Sequence, residues 1–301
     1  MDQLTTTPTS RTSPQIVSLR RWAVVSLVAN MVIVWTGALV RLTKSGLGCA
    51  SWPQCQPGSY VPLPENGMHG LIEFGNRLLT FALAAIAIGT YVAARRAYRA
   101  GAMPRRLLTL AFCVGLGIIA QAVIGGVSVL VQLNPWVVGL HMAASVGLIW
   151  ICVEMVHLTF GLSRMAVPRR LHLLTIVVFW LGVAIIALGV VVTGAGPHAG
   201  DGAAQRNGLA PDLTAKLHAW AVWAIVAATV LGLIWAWALP RVRRLWLGLL
   251  AIILLQGLIG YVQYFTHLPT GMVLAHMVGT TLFAAALGHL FFLTKGRDAS
   301  V

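Results

Sequence analysis

Eight long apolar stretches constrain this chain more than any other feature of its sequence. Apolar residues make up 58% of the chain and charged residues 9%, whereas a soluble domain carries roughly 25% charged residues. Each stretch is close to the about 20 residues that a helix needs to cross the hydrocarbon core of a bilayer. The sequence therefore predicts an all-α integral membrane protein with eight transmembrane helices, at approximately residues 20–41, 71–94, 107–131, 136–160, 170–193, 213–239, 243–265 and 270–293.

The basic residues between these stretches predict the topology. A formal net charge of +14 would suit a nucleic-acid partner if it were clustered on one soluble face, but it alternates along the chain. Segments rich in Lys and Arg stay in the cytoplasm, so both termini are expected there, and we predict no nucleic-acid partner. Sixteen of the 21 Lys and Arg fall in these segments: Arg11, Arg20, Arg21, Arg95, Arg96, Arg99, Arg105, Arg106, Arg164, Arg169, Arg170, Arg241, Arg243, Arg244, Lys295 and Arg297.

The two ends of the chain are expected to be tails. Residues 1–19 begin with a Thr-, Ser- and Pro-rich segment and are predicted to be a disordered cytoplasmic tail, and residues 295–301 a second one. The first segment has neither a cleavable apolar core nor an Arg-rich amphipathic pattern. A multi-pass protein of a bacterial plasma membrane is therefore the expected location.

An internal repeat divides the spans into two groups of four. Residues 121–145 align with residues 256–280 at a constant offset of 135, which pairs Gln121 with Gln256, Gly125 with Gly260 and His141 with His276. Four spans are an even number, so the two groups share one orientation and are related by an axis along the membrane normal. We predict two parallel-related four-helix bundles, residues 20–165 and residues 166–294.

Three histidines lie inside the predicted spans near their outer ends: His141, His218 and His276. Each is about 8–9 Å deep at 1.5 Å per residue. Ionisable groups at such depth are functional candidates, and the alternative is an interhelical hydrogen bond. His218 and His276, at matched depth in one half, suit axial ligation of a heme iron.

The second span carries four polar residues on one face: His69, Glu73, Asn76 and Arg77. They follow the helical spacing i, i+4, i+7 and i+8. An ion pair between Glu73 and Arg77 that only stabilises the helix is the structural alternative. Inside a membrane, however, such charges are costly to retain without a purpose.

Other groups have mainly structural interpretations. Cys49 and Cys55 lie in the first outer loop, on the oxidising side of the membrane, where a disulfide is the leading assignment and a zinc site the alternative. Glu154 and His157 form a Glu-x-x-His pair like that of di-iron bundles. A di-iron site would require further carboxylates inside the membrane, and the sequence has none to spare, so this pair predicts a structural contact near the membrane interface.

Several motifs together resemble the heme A synthase family over roughly residues 20–293. They are TKSGLGC at residues 43–49, followed by WPQC, then IEFGNR at residues 72–77, and single histidines near the outer ends of spans 4, 6 and 8. The resemblance implies oxidation of the C8 methyl of heme O to the formyl group of heme A through a hydroxylated intermediate. It also implies a heme O synthase and a terminal oxidase assembly as partners.

The resemblance assigns roles to individual residues. A prosthetic heme B would lie between His218 and His276, and His141 would bind the iron of the substrate heme. Glu73 matches the essential glutamate of the family, and Cys49 with Cys55 matches its cysteine pair. Candidates for pairing with heme propionates, argued from their charge near the outer surface, are Arg41, Lys44 and Arg77.

One residue departs from the family pattern. Many members have a second histidine in the helix-2 motif, where this chain has Asn76, and an amide is a poor ligand for heme iron. His69 is the alternative ligand, although it lies about 10 Å higher along the helix axis. A diheme electron-transfer protein, the chief rival, would need two symmetrical histidine pairs, and a transporter would need helices broken at the midplane.

Overall fold

A computed structural model describes residues 13–296, and within them eight helices are long and apolar enough to cross a membrane. This confirms the predicted fold class. The helices are α1 (Pro14–Leu42), α2 (Gly67–Arg99), α3 (Arg105–Leu130), α4 (Pro135–Phe160), α5 (Arg169–Ala195), α6 (Pro211–Trp235), α7 (Pro240–Phe265) and α8 (Thr270–Leu293).

Prolines and one glycine fix several helix ends. Four helices begin with proline at their first position, where the missing N–H costs no helical hydrogen bond and φ is already helical. The α6 helix ends at Trp235, before Pro240, so the predicted end at residue 239 was too late. After α4 the chain turns at Gly161, whose φ of 64° is the left-handed conformation that glycine adopts without strain.

Each group of four helices closes on itself in the same order. In the N-terminal half, α1 contacts α2, α2 contacts α3, α3 contacts α4, and α4 contacts α1; the C-terminal half repeats this ring with α5 to α8. Between the halves, α4 contacts α8, α1 contacts α8 and α4 contacts α5. Exchanging the halves turns the α1–α8 contact into the α5–α4 contact, so the interface has the same symmetry as the repeat.

Tryptophan side chains join the two halves in the interior. Trp35 Nε1 donates to Thr281 Oγ1 at 2.8 Å, and Trp150 Nε1 donates to the carbonyl of Ala284 at 2.8 Å. Lipid is as apolar as a leucine side chain, so close packing and hydrogen bonds hold helices together in a membrane. A buried indole N–H without a partner would cost free energy, and these two bonds satisfy both groups while crossing the interface.

The chain ends depart from the prediction. Helix α1 begins at Pro14, so the predicted disordered tail was wrong for residues 14–19, while residues 1–12 lie outside the described part. A short strand β1 (Met165–Val167) after α4 pairs in parallel with β2 (Thr294–Gly296) after α8. The fold is thus helical except for this ladder, which includes residues 295–296 of the predicted C-terminal tail and spans the predicted boundary at 165/166. Residues 297–301 are not described.

Glycines at helix contacts give a test of this packing. A Cβ at Gly232 would overlap the ring of Trp246, which is fully buried between α6 and α7. We expect Gly232→Leu to destabilise the protein by roughly 1–3 kcal/mol, the usual cost of overpacking. A Cβ at Gly248 on α7 would have no neighbour within 4 Å, so Gly248→Leu is the matched control. Melting curves of both variants in detergent measure the difference, and equal melting temperatures would contradict the packing.

Candidate functional site

Two imidazoles face each other across the interior of the C-terminal bundle. His218 on α6 and His276 on α8 lie within the first third of their helices, and their ring centres are 6.5 Å apart with planes at 71°. Helices α6 and α8 stand at opposite corners of the ring of four. The matched depth expected from the sequence therefore brings these two side chains together at the centre of the bundle.

The other two helices of this bundle present glycine to the imidazoles. A Cβ at Gly189 on α5 would lie 3.3 Å from Cε1 of His218, and one at Gly260 on α7 would lie 3.5 Å from Cε1 of His276. Nδ1 of each ring is buried and has no partner with hydrogen-bond geometry. The Nε2 atoms are thus the nitrogens available to a ligand, and the glycines keep the backbone close to the rings.

The geometry of this pair fits a heme iron. Imidazoles on opposite sides of one metal ion place their ring centres roughly 6 Å apart, from two metal–nitrogen bonds of about 2 Å and the two half-rings. The observed 6.5 Å agrees with this value. No group of three or more His, Cys, Asp or Glu in residues 13–296 is arranged to hold a metal ion.

The N-terminal half repeats one side of this arrangement. A Cβ at Gly125 would lie 3.3 Å from Cε1 of His141, which matches the position of Gly260 beside His276. Ser145 Oγ donates to the carbonyl of His141 at 2.9 Å, and Thr280 Oγ1 donates to that of His276 at 2.8 Å. Residues paired at the sequence offset of 135 thus make matching contacts in the two halves. The glycines could have been recognised from that offset, since the alignment already paired them.

The other side of the arrangement is different in the N-terminal half. Helix α2, opposite α4 in the ring, carries Asn76, whose Oδ1 is buried without a hydrogen-bond partner. His69 lies on an exposed part of α2 and its Nδ1 is 3.0 Å from Oγ of Ser45 in the outer loop. The structure therefore brings His69 to the loop, two turns above Asn76, and leaves His141 without a facing imidazole.

Glu73 and Arg77 hold the first outer loop. The buried carboxylate of Glu73 accepts the backbone N–H of Cys49 at 2.5 Å, and two N–H groups of Arg77 reach Oε1 of Glu73 at 2.6 and 3.2 Å. Arg77 also donates to the carbonyls of Cys49, Ser51 and Gln54 at 3.0–3.2 Å. These bonds fix both sides of the loop closed by the Cys49–Cys55 disulfide, which the structure contains as predicted.

The disulfide loop places Trp52 over the N-terminal site, which the sequence did not indicate. A Cβ at Gly126 would overlap the indole of Trp52, and Gly126 follows the glycine that borders His141. The loop is anchored by Glu73 and Arg77, so the helix-2 motif positions this indole. A tryptophan in a Pro-rich loop is also typical of a membrane interface, which is why sequence alone could not identify the contact.

Arg41 and Lys44, two basic residues close to the end of α1, differ in their contacts. Arg41 on α1 donates from Nη2 to the carbonyl of Thr193 on α5 at 2.6 Å, and its Nε is buried without a partner. The neighbouring loops also meet, because Gly46 N–H donates to the carbonyl of Gly200 at 2.9 Å. Lys44 is exposed. Arg41 therefore brings a partly unsatisfied guanidinium to the boundary between the halves.

The two residues of the Glu-x-x-His pair, at the other end of α4, contact different helices. Glu154 forms an ion pair with Arg106 on α3. His157 instead faces α8, with its Nε2 2.6 Å from Nδ1 of His289. The structural interpretation of Glu154 agrees with this geometry, whereas the contact between the two histidines was not predicted.

Comparisons with known proteins show which sequences this chain resembles. The COX15-CtaA family of cytochrome oxidase assembly proteins matches residues 20–69. A heme A synthase from Lysinibacillus sphaericus is 32% identical over 181 residues, which cover 58% of this chain and 57% of that protein. A heme A synthase from Bacillus cereus is 27% identical over 299 residues, covering 91% of this chain and 92% of the relative. The chain is therefore a multi-pass membrane protein whose sequence is similar to heme A synthases over most of its length.

Proposed function

We propose that this protein is an oxidoreductase that converts heme O to heme A by oxidising the C8 methyl to a formyl group through a hydroxylated intermediate. The observation that carries the proposal is the difference between the two halves. The C-terminal half has two facing imidazoles, whereas in the N-terminal half His141 is on α4 and Asn76 is on α2, the opposite helix of the ring. Two histidine ligands suit a resident heme that transfers electrons, and a single protein ligand suits a substrate heme that must leave as product.

In this proposal the C-terminal half holds heme B. His218 and His276 would bind its iron, and Gly189 and Gly260 lie beside the two rings. When bound, heme B would supply one-electron redox chemistry. The polypeptide orients the imidazoles and surrounds them with apolar helices that exclude water.

The N-terminal half binds the substrate. His141 would bind the iron of heme O from α4, and Asn76 on the opposite helix α2 has a buried amide oxygen without a hydrogen-bond partner. Arg41 is the propionate partner we favour, because its Nε remains free. Arg77 donates most of its N–H groups to Glu73 and to loop carbonyls, so its proposed role is to position the loop.

Glu73 is the proposed catalytic residue. Its carboxylate is buried on the inner face of α2, one turn above Asn76, and accepts hydrogen bonds from Arg77 and Cys49. A carboxylate held in this way can accept a proton or stabilise positive charge as the methyl carbon is oxidised. Its second task is to hold the disulfide loop, so its variants must be compared with variants of its partner.

The predicted topology also suggests a membrane location, an orientation and partners for this protein. We propose that the protein lies in the plasma membrane with both termini in the cytoplasm, which places the heme sites toward the outer surface. A heme O synthase would supply the substrate, and assembly of a terminal oxidase would consume the product. The lipid bilayer is the route by which so apolar a molecule would pass between them.

Removing either C-terminal histidine tests the heme B site. We expect His218→Ala and His276→Ala each to abolish the low-spin bis-histidine spectrum, because one axial ligand is lost. His267→Asn is the control, since His267 is exposed in an outer loop with a positive φ that Asn tolerates. Optical and electron paramagnetic resonance spectra of the purified proteins measure the effect. An unchanged low-spin spectrum in both alanine variants would contradict the ligand assignment.

Heme extraction and mass analysis test the reaction together with Glu73. We expect the native protein to contain heme B with heme O or its hydroxylated product. Glu73→Gln should keep both hemes but lower heme A production at least tenfold, because the amide keeps the shape and loses the charge.

Two comparisons separate the explanations. Glu65→Gln, in the exposed part of the loop, should leave production unchanged. If Arg77→Gln lowers heme A as strongly as Glu73→Gln does, Glu73 acts by holding the loop rather than at the methyl group. Two copies of heme B and no heme O would instead identify a diheme electron-transfer protein.

The missing helix-2 histidine gives a separate prediction. With His141 as its one protein ligand, the substrate heme should be high-spin, and Asn76→His should shift it toward low spin. His69→Ala should leave the spin state unchanged, because His69 is bonded to Ser45 above the site. Resonance Raman spectra of substrate-loaded protein distinguish the two cases. A low-spin substrate heme that becomes high-spin in His69→Ala would make His69 the second ligand.

A further inference from the structure

A cavity of about 260 Å³ lies between the two halves, at the end of the bundle opposite the heme sites. It is bounded by α1, α4 and α8 and is open on one side. Its lining is six aliphatic side chains and two imidazoles: Leu27, Val153, Val156, His157, Leu162, Ala285, Ala286 and His289.

The two imidazoles are the polar groups of this cavity, and they are joined to each other. Nε2 of His157 lies 2.6 Å from Nδ1 of His289, and the ring of Phe292 is packed against the edge of His157. His157 is 5% exposed, and its Nδ1 is buried without a partner. Ionisable side chains inside a membrane are functional candidates, and this pair has no part in the heme sites.

The lining restricts what can bind. Two nitrogens on one tetrahedral metal ion stand roughly 3.3 Å apart, whereas these two are at hydrogen-bond distance. A charged ligand would find no opposite charge among the lining residues. An apolar molecule with a hydrogen-bonding head group can contact the aliphatic side chains and bond to the imidazoles. Small-molecule sites usually combine an apolar lining with a few polar groups in this way.

We propose that this cavity binds the head group of an isoprenoid quinone, which accepts the two electrons released when the hydroxymethyl intermediate becomes the formyl group. This inference rests on the proposed function. Converting the hydroxymethyl group to the formyl group breaks one C–H and one O–H bond and releases two electrons and two protons. A quinone takes up the same two electrons and two protons to become a quinol, so the step balances.

The position of the cavity suits this role. His276 and His289 are both on α8 and thirteen residues apart, about 20 Å along the helix axis. In the proposed topology the heme sites lie toward the outer surface and the cavity toward the cytoplasm. The hydrogen-bonded histidines can then pass protons to the quinone oxygen from the cytoplasmic side, while the electrons come from the heme side.

A titration with decyl-benzoquinone tests the site directly. The probe is added to heme-loaded protein in nanodiscs of synthetic, quinone-free lipid, and binding is followed by calorimetry. We expect saturable binding that weakens at least tenfold in Ala285→Phe, which fills the cavity, and in His289→Leu. His172→Leu, at the same end of the bundle on α5 and outside the cavity, should bind as the native protein does. An unchanged bis-histidine spectrum confirms that each variant is folded.

The same titration with decylbenzene distinguishes a quinone site from a lipid crevice. Equal affinity for both molecules, or unchanged quinone binding in both cavity variants, would overturn the proposal. Heme A content provides a separate measurement: normal production by an Ala285→Phe protein that no longer binds quinone would exclude the cavity as the acceptor site while leaving the proposed function intact. If the native protein made no heme A, the proposed function would fail and quinone binding would still decide the site.

Discussion

The structure depends on one constraint: inside a bilayer, backbone polar groups must be satisfied within the chain, so the spanning segments are helices. Helices without a hydrophobic driving force between them associate where small residues allow close approach. Here those residues are glycines that border the histidine rings, notably Gly125, Gly189 and Gly260. The contacts between helices thus also surround the imidazoles of the proposed heme sites.

Length and hydropathy were enough to predict the eight spans, and matched depth was enough to predict that His218 and His276 lie close together. The loop partners of Glu73 and Arg77 could not be predicted, because they are backbone groups of a loop whose path depends on its three-dimensional fold. The contact between His157 and His289 joins residues 132 positions apart at an interface between halves, and no periodicity within one helix indicates such a pair. Residues 14–19 were predicted to belong to the tail because Pro14, which begins α1, follows directly on a Thr-, Ser- and Pro-rich segment.

The two halves have the same arrangement of helices but differ in several side chains and loops. Both keep the ring of four helices and one histidine bordered by glycine, together with a hydroxyl bonded to that histidine's carbonyl. The C-terminal half has a second imidazole. The N-terminal half has the disulfide loop, the Glu73–Arg77 pair and Trp52. The two halves therefore share the scaffold, and these differences lie in the first loop and on the second helix of each half.

The bonds across the interface have a mechanical consequence. Arg41 with Thr193 and Gly46 with Gly200 fasten the halves at the outer end, while the Trp35 and Trp150 bonds fasten them in the middle. Many transporters expose a central site alternately to the two sides of the membrane by rocking one repeat against the other. The bonds between the halves of this protein oppose such a motion. A bulky apolar substrate would have to enter such a clamped molecule sideways, sliding between neighbouring helices from within the lipid.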